Sequence, residues 1–304
     1  PYRVHLSPHV VRTEGGAYVQ VFRLDGASFE SADDEVLNNW HERLSVLWRN
    51  IGSPNVALWV HVMRRRETAV RGSDAVGASS DFAERLVARY ETRLAAETLM
   101  LNELYLSVVY RPLAGAAPNL LARLLPAPAA GPQAMERADA LDACDKLAQT
   151  IDSSLARYEP ERLGVYSRGA RQYSRPLEFF ALLLNGERAA VPLPVAPIHE
   201  VLATTRPIFG SETIEYRLPT RTRFGAMLGL AEYATPSEVG MFDTLLSAPF
   251  EFILTQSFTF LSKATSQGLL QRQANQMANA GDFAVSQAAQ LQDALDDLTS
   301  NEFV

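Results

Sequence analysis

Apolar and polar positions along this chain follow two alternating periods, and the switches between them lay out its elements. Val10–Thr13 and Ala17–Leu24 are short β-favouring runs separated by Glu14-Gly15-Gly16, a hairpin signal. The period then lengthens. Ser31 and Asp33 offer N-caps, and Val36, Leu37, Trp40, Leu44, Leu47 and Ile51 share one helical stripe that Gly52 and Pro54 terminate. Val56–Met63 is almost unbroken apolar sequence, the pattern of a central strand buried on both faces. Asp81 caps a second helix with Phe82, Leu86, Tyr90, Leu94, Glu97 and Leu101 on one stripe. Glu103–Arg111 returns to period two, with Leu104, Leu106, Val108 and Tyr110 facing one way, until Pro112 stops it. The order β-β-α-β-α-β predicts a small sheet with helices packed on it across residues 1–112.

Five prolines and two glycines punctuate Pro112 to Pro132, so residues 113–132 read as a Pro-rich connection. Residues 133–304 then read as a second, more helical subdomain. Gln133 to Tyr158 places Met135, Ala138, Leu141, Cys144, Leu147, Ile151 and Leu155 on one stripe. A short helix fits Pro176–Leu184, and Val191-Pro-Leu-Pro-Val-Ala-Pro197 is a stiff extended connector. Strands are expected at Thr213–Leu218, Phe224–Tyr233 and Phe250–Phe260, and helices at Ser237–Ser247, Ser262–Ala280 and Asp282–Leu298. The fold class is therefore α+β (mixed α/β), built as two small sheet-plus-helix subdomains. No repeat of fixed period is present.

Composition narrows the classes. At 304 residues, 47% hydrophobic and 21% charged, the chain is globular in type and long enough for two domains. It has no apolar run near the ~18–20 residues that span a bilayer. Its start, Pro1-Tyr2-Arg3-Val4-His5, has no signal core and no initiator Met, as expected of a piece of a longer polypeptide. Cys144 is the sole cysteine, which excludes an intrachain disulfide and suits a reducing compartment. A net charge of −7 argues against a surface dedicated to nucleic acid. Of 28 basic residues only Lys146 and Lys263 are lysine. A GC-rich genome accounts for such a bias, and arginine also suits interfacial ion pairs.

The motifs of nucleotide chemistry are missing. A phosphate loop requires Gly-Lys-Ser/Thr, yet Lys146 follows Asp145 and Lys263 follows Ser262. No Gly-x-Gly-x-x-Gly fingerprint follows a strand. His5 and His9 are four apart but separated by Pro8, so they make a poor pair of metal ligands, and His61 reads as a hydrogen-bonded strand histidine. Cys144 lies on an apolar stripe, where packing is the simpler role. These readings assign no catalytic residue, cofactor or metal to the chain.

Charge patterning is the more useful signal. Arg64, Arg65 and Arg66 close the apolar strand; Arg168, Arg171 and Arg175 surround a loop; and Arg221 and Arg223 lie at a strand edge. From Asp282 to Val304 there are five acidic side chains and no basic one, with Asp293, Asp296 and Asp297 clustered on a helix pattern. The alternatives are scattered, solvated charge or complementary faces that steer docking and fix register. Arg64–Arg66 also offers a modest attraction to an anionic leaflet, ~1 kcal/mol per basic residue. A nucleic-acid-binding module using the Arg clusters is the alternative function, but an aromatic-plus-basic strand motif is lacking.

Three runs in the last third carry a family resemblance: Arg223–Tyr233, Pro249–Lys263, and Asn279–Gln287 continuing to Ala294–Leu298. Upstream, Tyr2 and His5, Leu24-Asp25-Gly26, Ile51-Gly52, His61 with Arg64-Arg65, Leu106–Pro112, Phe179–Glu187 and Val191–Pro194 extend it over nearly the whole chain. Together they resemble the N-terminal region of the CagE/TrbE/VirB family, ATPases of type IV secretion and conjugation. The resemblance implies a cytoplasmic module, peripheral at the bacterial inner membrane, that contacts inner-membrane subunits of the secretion machine and self-associates within a homo-oligomeric ATPase. It also implies that ATP and Mg²⁺ belong to a C-terminal domain that these residues do not include.

Overall fold

The computed structural model describes residues 1–28, 31–67, 80–96, 99–112, 131–231 and 240–278. Strands β1 (Tyr2–His5), β2 (Val11–Thr13) and β3 (Tyr18–Leu24) form an antiparallel meander. Helix α1 (Asp34–Ile51), strand β4 (Val56–Glu67), helix α2 (Asp81–Ala96) and strand β5 (Leu99–Tyr110) follow. After residues 113–130 come α3 (Gly131–Ser154), β6 (Glu161–Arg162), the hairpin β7 (Val165–Arg168) and β8 (Arg171–Ser174), then α4 (Arg175–Asn185) and α5 (Ile198–Leu202). Strands β9 (Arg206–Phe209), β10 (Ile214–Arg217) and β11 (Thr222–Gly225) form a separate three-stranded sheet. A short α6 (Asp243–Leu246) leads to β12 (Phe252–Thr259) and α7 (Lys263–Ala278).

The main sheet runs β1-β2-β3-β5-β4-β12, with β6 added beside β3, and every pairing is antiparallel. Strands β4 and β5 pair along their whole length, from Val56↔Tyr110 to Glu67↔Leu99. Strand β12 then adds to the far side of β4, with Thr255 opposite His61. The sheet thus takes strands from both sides of residues 113–130. The mixed α+β class expected from the two periods is what the chain adopts.

The pleat sorts the sheet residues onto two faces. On one, Phe22, Leu58, Leu106 and Val108 pack against Leu47 and Ile51 of α1 and Ala148 and Ile151 of α3. On the other, Val19, Val21, Met63 and Tyr105 pack against Leu177, Phe179 and Phe180 of α4. Full burial of side chains this size stabilises by about 1.5–3 kcal/mol each. Helix α4 has both ends defined by sequence. Ser174 Oγ accepts from the Leu177 amide at 3.2 Å, Pro176 fits the first turn, and Gly186 takes φ +66° to close the C-terminus onto Leu182 O.

Several expectations change. Strand β1 carries no clear alternation, yet it pairs with β2. Helix α2 forms as its period predicts, but its stripe is solvent-facing, with Phe82 71%, Leu86 59% and Tyr90 61% exposed. Among the described residues the strand expected over Phe224–Tyr233 is confined to Thr222–Gly225, and residues 226–231 adopt no regular structure. The helix expected at Ser237–Ser247 is reduced to Asp243–Leu246 among the described residues. The Asp282–Leu298 helix lies outside the described residues.

Candidate functional site

Helix α4 covers only part of its sheet face. The remainder, together with β10 and β11, encloses a groove of about 1250 Å³. Its floor comes from alternating inward positions: Trp59, His61 and Met63 of β4, Ser107 and Val109 of β5, and Ile253 and Thr255 of β12. Phe180 and Leu183 of α4 form one wall; Tyr216 of β10 and Phe224 of β11 form the other, continued by Met227 and Leu228. Val56–Met63 was expected to be buried on both faces, but Trp59 is 41% exposed because this half of the face has no helix over it.

His61 is the polar centre of the floor. Its Nδ1 lies 2.9 Å from Thr255 Oγ1 and its Nε2 3.3 Å from Ser107 Oγ, while Phe179 meets the ring edge-on at 5.2 Å between centroids. A neutral imidazole has one donor and one acceptor nitrogen, and each hydroxyl can take the complementary role. Burial holds its pKa down from 6.5 to about 4, so the ring is neutral near pH 7. This is the hydrogen-bonded strand histidine that the sequence suggested.

The rim gathers two of the arginine groups. Arg64, Arg65, Arg66, Arg221 and Arg223 all line the groove. Arg64 donates through Nε to Ala248 O, and its Nη1 reaches Asn102 Oδ1 at 2.9 Å. Arg65 pairs with Glu103 at 3.1 Å and Glu67 at 2.8 Å; Arg188 joins the same Glu103. The backbone amide of Arg66 donates to Glu251 Oε1 at 2.9 Å, and Arg223 binds the other oxygen of that carboxylate at 2.6 Å. Arg221 pairs with Glu187 at 2.8 Å. Glu251 therefore ties the β4 backbone at Arg66 to Arg223 of β11.

The third group lies elsewhere. Arg168 and Arg171 pair across the exposed end of the β7–β8 hairpin, and Arg175 is bound to Glu161 beside a separate cavity of about 390 Å³. Asp293, Asp296 and Asp297 lie outside the described residues. Cys144, on the inner face of α3, is buried against Val10 and Tyr18, and burial pushes its thiol up to about 12, so thiolate chemistry is suppressed there. Among the described residues no three His, Cys, Asp or Glu side chains gather as metal ligands, and no helix is long and apolar enough to cross a membrane. Sequence reasoning missed Trp59, Glu103 and Arg188. Glu103 had only its opposite sign to Arg65 as a signal, and that becomes informative only once β4 and β5 are in register.

Comparison with known proteins gives this geometry a family. Residues 161–304 match the model of the CagE, TrbE, VirB family, component of type IV transporter system. Residues 9–117 match the N-terminal domain of the type IV secretion system ATPase VirB4/TrbE. The chain belongs to this family. It is similar to the type IV secretion system protein virB4 of Bartonella henselae, 38% identical over 307 residues, which cover 100% of this chain and 38% of the relative. It is also similar to PtlC of Bordetella pertussis, 35% identical over 308 residues, covering 100% of this chain and 37% of that one. The virB4 protein of Brucella suis is 33% identical over 314 residues, again with 100% and 37% coverage. The chain thus spans well under half the length of these relatives. Both groove walls and its floor fall largely within the two matched segments.

Proposed function

We propose that this chain is the N-terminal, non-catalytic assembly module of a type IV secretion ATPase, which powers movement of protein or DNA across the bacterial inner membrane. The module docks on inner-membrane subunits of the secretion machine from the cytoplasmic side and helps arrange the ATPase subunits into an oligomer. ATP and Mg²⁺ are handled by another part of the longer protein. The groove is the docking surface, and the observation that carries this reading is its composition. A largely apolar floor, with Trp59 and Ile253 at its open side and the His61 group as its polar centre, is bordered by arginines already oriented by Glu103, Glu187 and Glu251. Aromatic anchors surrounded by oriented arginines are typical of specific protein interfaces.

The test is co-purification of the 304-residue chain with inner-membrane subunits of its own secretion system, comparing native sequence with Trp59→Ala and Arg66→Glu. Both variants are expected to retain the fold and to lose most of the association. Undiminished association by both variants would remove the groove from the docking role. Steady ATP turnover by this chain, persisting through successive purification steps, would overturn the non-catalytic assignment.

A further inference from the structure

A third concavity, of about 790 Å³, lies where β1, β2, the N-terminal part of α3 and residues 193–198 meet. Its lining holds three guanidinium groups, Arg3, Arg12 and Arg137, and no carboxylate. The local fold explains the convergence. The β1–β2 register slips between Tyr2 and Val4, so Arg3 and Val4 both fall opposite Arg12, and such a bulge re-aims the extra side chain. Helix α3 packs over this corner through Ala140 and Cys144 and brings Arg137 in one turn earlier.

These arginines differ from those of the groove, which are tied to glutamates. None of the three makes a side-chain hydrogen bond or ion pair among the described residues, and Arg12 Nε is sealed from solvent without any partner. The neighbouring His5 adds no charge. Its Nε2 is engaged with Ser174 Oγ at 2.8 Å, its Nδ1 with Ser7 O at 3.2 Å, and burial lowers its pKa. Arg3 and Arg137 are exposed, so the cost falls on Arg12, whose buried Nε lacks an acceptor that a bound anion could supply. Guanidinium forks match the oxygens of a phosphoryl group in pairs, and a phosphoryl group presents more oxygens to three arginines than the two of a carboxylate.

We propose that Arg3, Arg12 and Arg137 form a binding site for a phosphoryl anion, independent of the docking groove. The phosphoryl group can be that of a soluble polyphosphate or of an anionic phospholipid headgroup. Two probes separate the sources: calorimetric titration of the chain with inorganic pyrophosphate at low ionic strength, and co-sedimentation with phosphatidylglycerol–phosphatidylcholine vesicles against phosphatidylcholine alone. Arg12→Gln and the double variant Arg3→Gln/Arg137→Gln are expected to weaken binding about tenfold or more. Arg168→Gln/Arg171→Gln, on the exposed hairpin, is the control for general charge attraction and is expected to leave it unchanged. Binding of pyrophosphate identifies a soluble ligand; binding of the anionic vesicles alone identifies a headgroup. The double variant changes only exposed side chains, so it reports even if Arg12→Gln fails to fold. The proposal is overturned if neither probe binds, or if the hairpin control loses as much affinity as the site variants.

Discussion

Replacing His61 by glutamine should flatten the acid side of the stability profile. In the folded chain the ring is held between Thr255 Oγ1 and Ser107 Oγ, and burial lowers its pKa from 6.5 to about 4. The unfolded chain takes up the proton near pH 6.5, whereas the folded chain refuses it until about pH 4. Stability from this group is complete above the unfolded value and declines as pH falls through that window, because the unfolded state binds more protons there. Each pH unit inside the window costs about 1.4 kcal/mol, so a fall from pH 7 to about pH 4.5 should remove roughly 2–3 kcal/mol. Urea unfolding followed by circular dichroism at the two pH values measures this for the native sequence and for His61→Gln. The variant starts from a lower stability, because an amide fits two hydroxyls less well than imidazole. Only the pH-dependent difference between the two proteins is diagnostic, since the carboxylates common to both cancel. Parallel profiles would refute the claim that His61 is kept neutral by burial.

One substitution and one labelling experiment probe the scaffold behind the groove. Asn185, at the end of α4, donates to Leu202 O at 2.9 Å and accepts from the amides of Thr204 and Thr205 at 3.0 and 3.1 Å. Asn185→Ala orphans these backbone groups and should cost about 3 kcal/mol in urea unfolding; a loss below about 0.5 kcal/mol would refute this role. Cys144, with its thiol pushed up to about 12 by burial, should resist iodoacetamide at neutral pH in the folded chain and label promptly in urea. Prompt native-state labelling would show that α3 opens from the sheet.

The parts of the fold that sequence made legible are those governed by local periodicity. The strands around Ala17–Leu24 and Glu103–Arg111, helix α1 and helix α4 each show a period and a terminator within the same short window. What stayed hidden depends on partners distant in sequence. Nothing within Phe250–Phe260 specifies that it pairs with β4, because the register Thr255↔His61 joins residues almost two hundred positions apart. The stripe of α2 shows the opposite failure. Its amphipathic period predicts a helix correctly, but periodicity does not state what covers the apolar face, and the described residues leave Phe82 and Leu86 exposed. At Arg168–Arg175 closeness in sequence does not make one group: Arg168 and Arg171 face each other at the exposed end of the hairpin, while Arg175 opens α4 and is bound to Glu161. The Arg64–Arg66 and Arg221–Arg223 groups converge through Glu251, which no local pattern connects to them.

The ion pairs around the groove bear on how it would exchange partners. Arg223 and Glu251 have side chains roughly two-fifths exposed, at 37% and 41%. Pairs in such surroundings contribute at most about 1 kcal/mol to stability. A carboxylate on a docking protein could therefore displace Glu251 from Arg223 with little loss to the fold, while the arginine remains oriented by its bond to Gly186 O. Under the proposed docking role the groove would be preset for exchange: the glutamates hold the guanidiniums in place, and a partner's carboxylates would replace them. Discrimination must then come from the apolar floor, because arginine–carboxylate exchange is nearly neutral for any acidic segment. An acidic segment without an apolar side chain to fill the space beside Trp59 and Ile253 should bind no better than salt competes. One that presents an aromatic or branched apolar residue between its carboxylates should bind with a dependence on Trp59 that outlasts added salt.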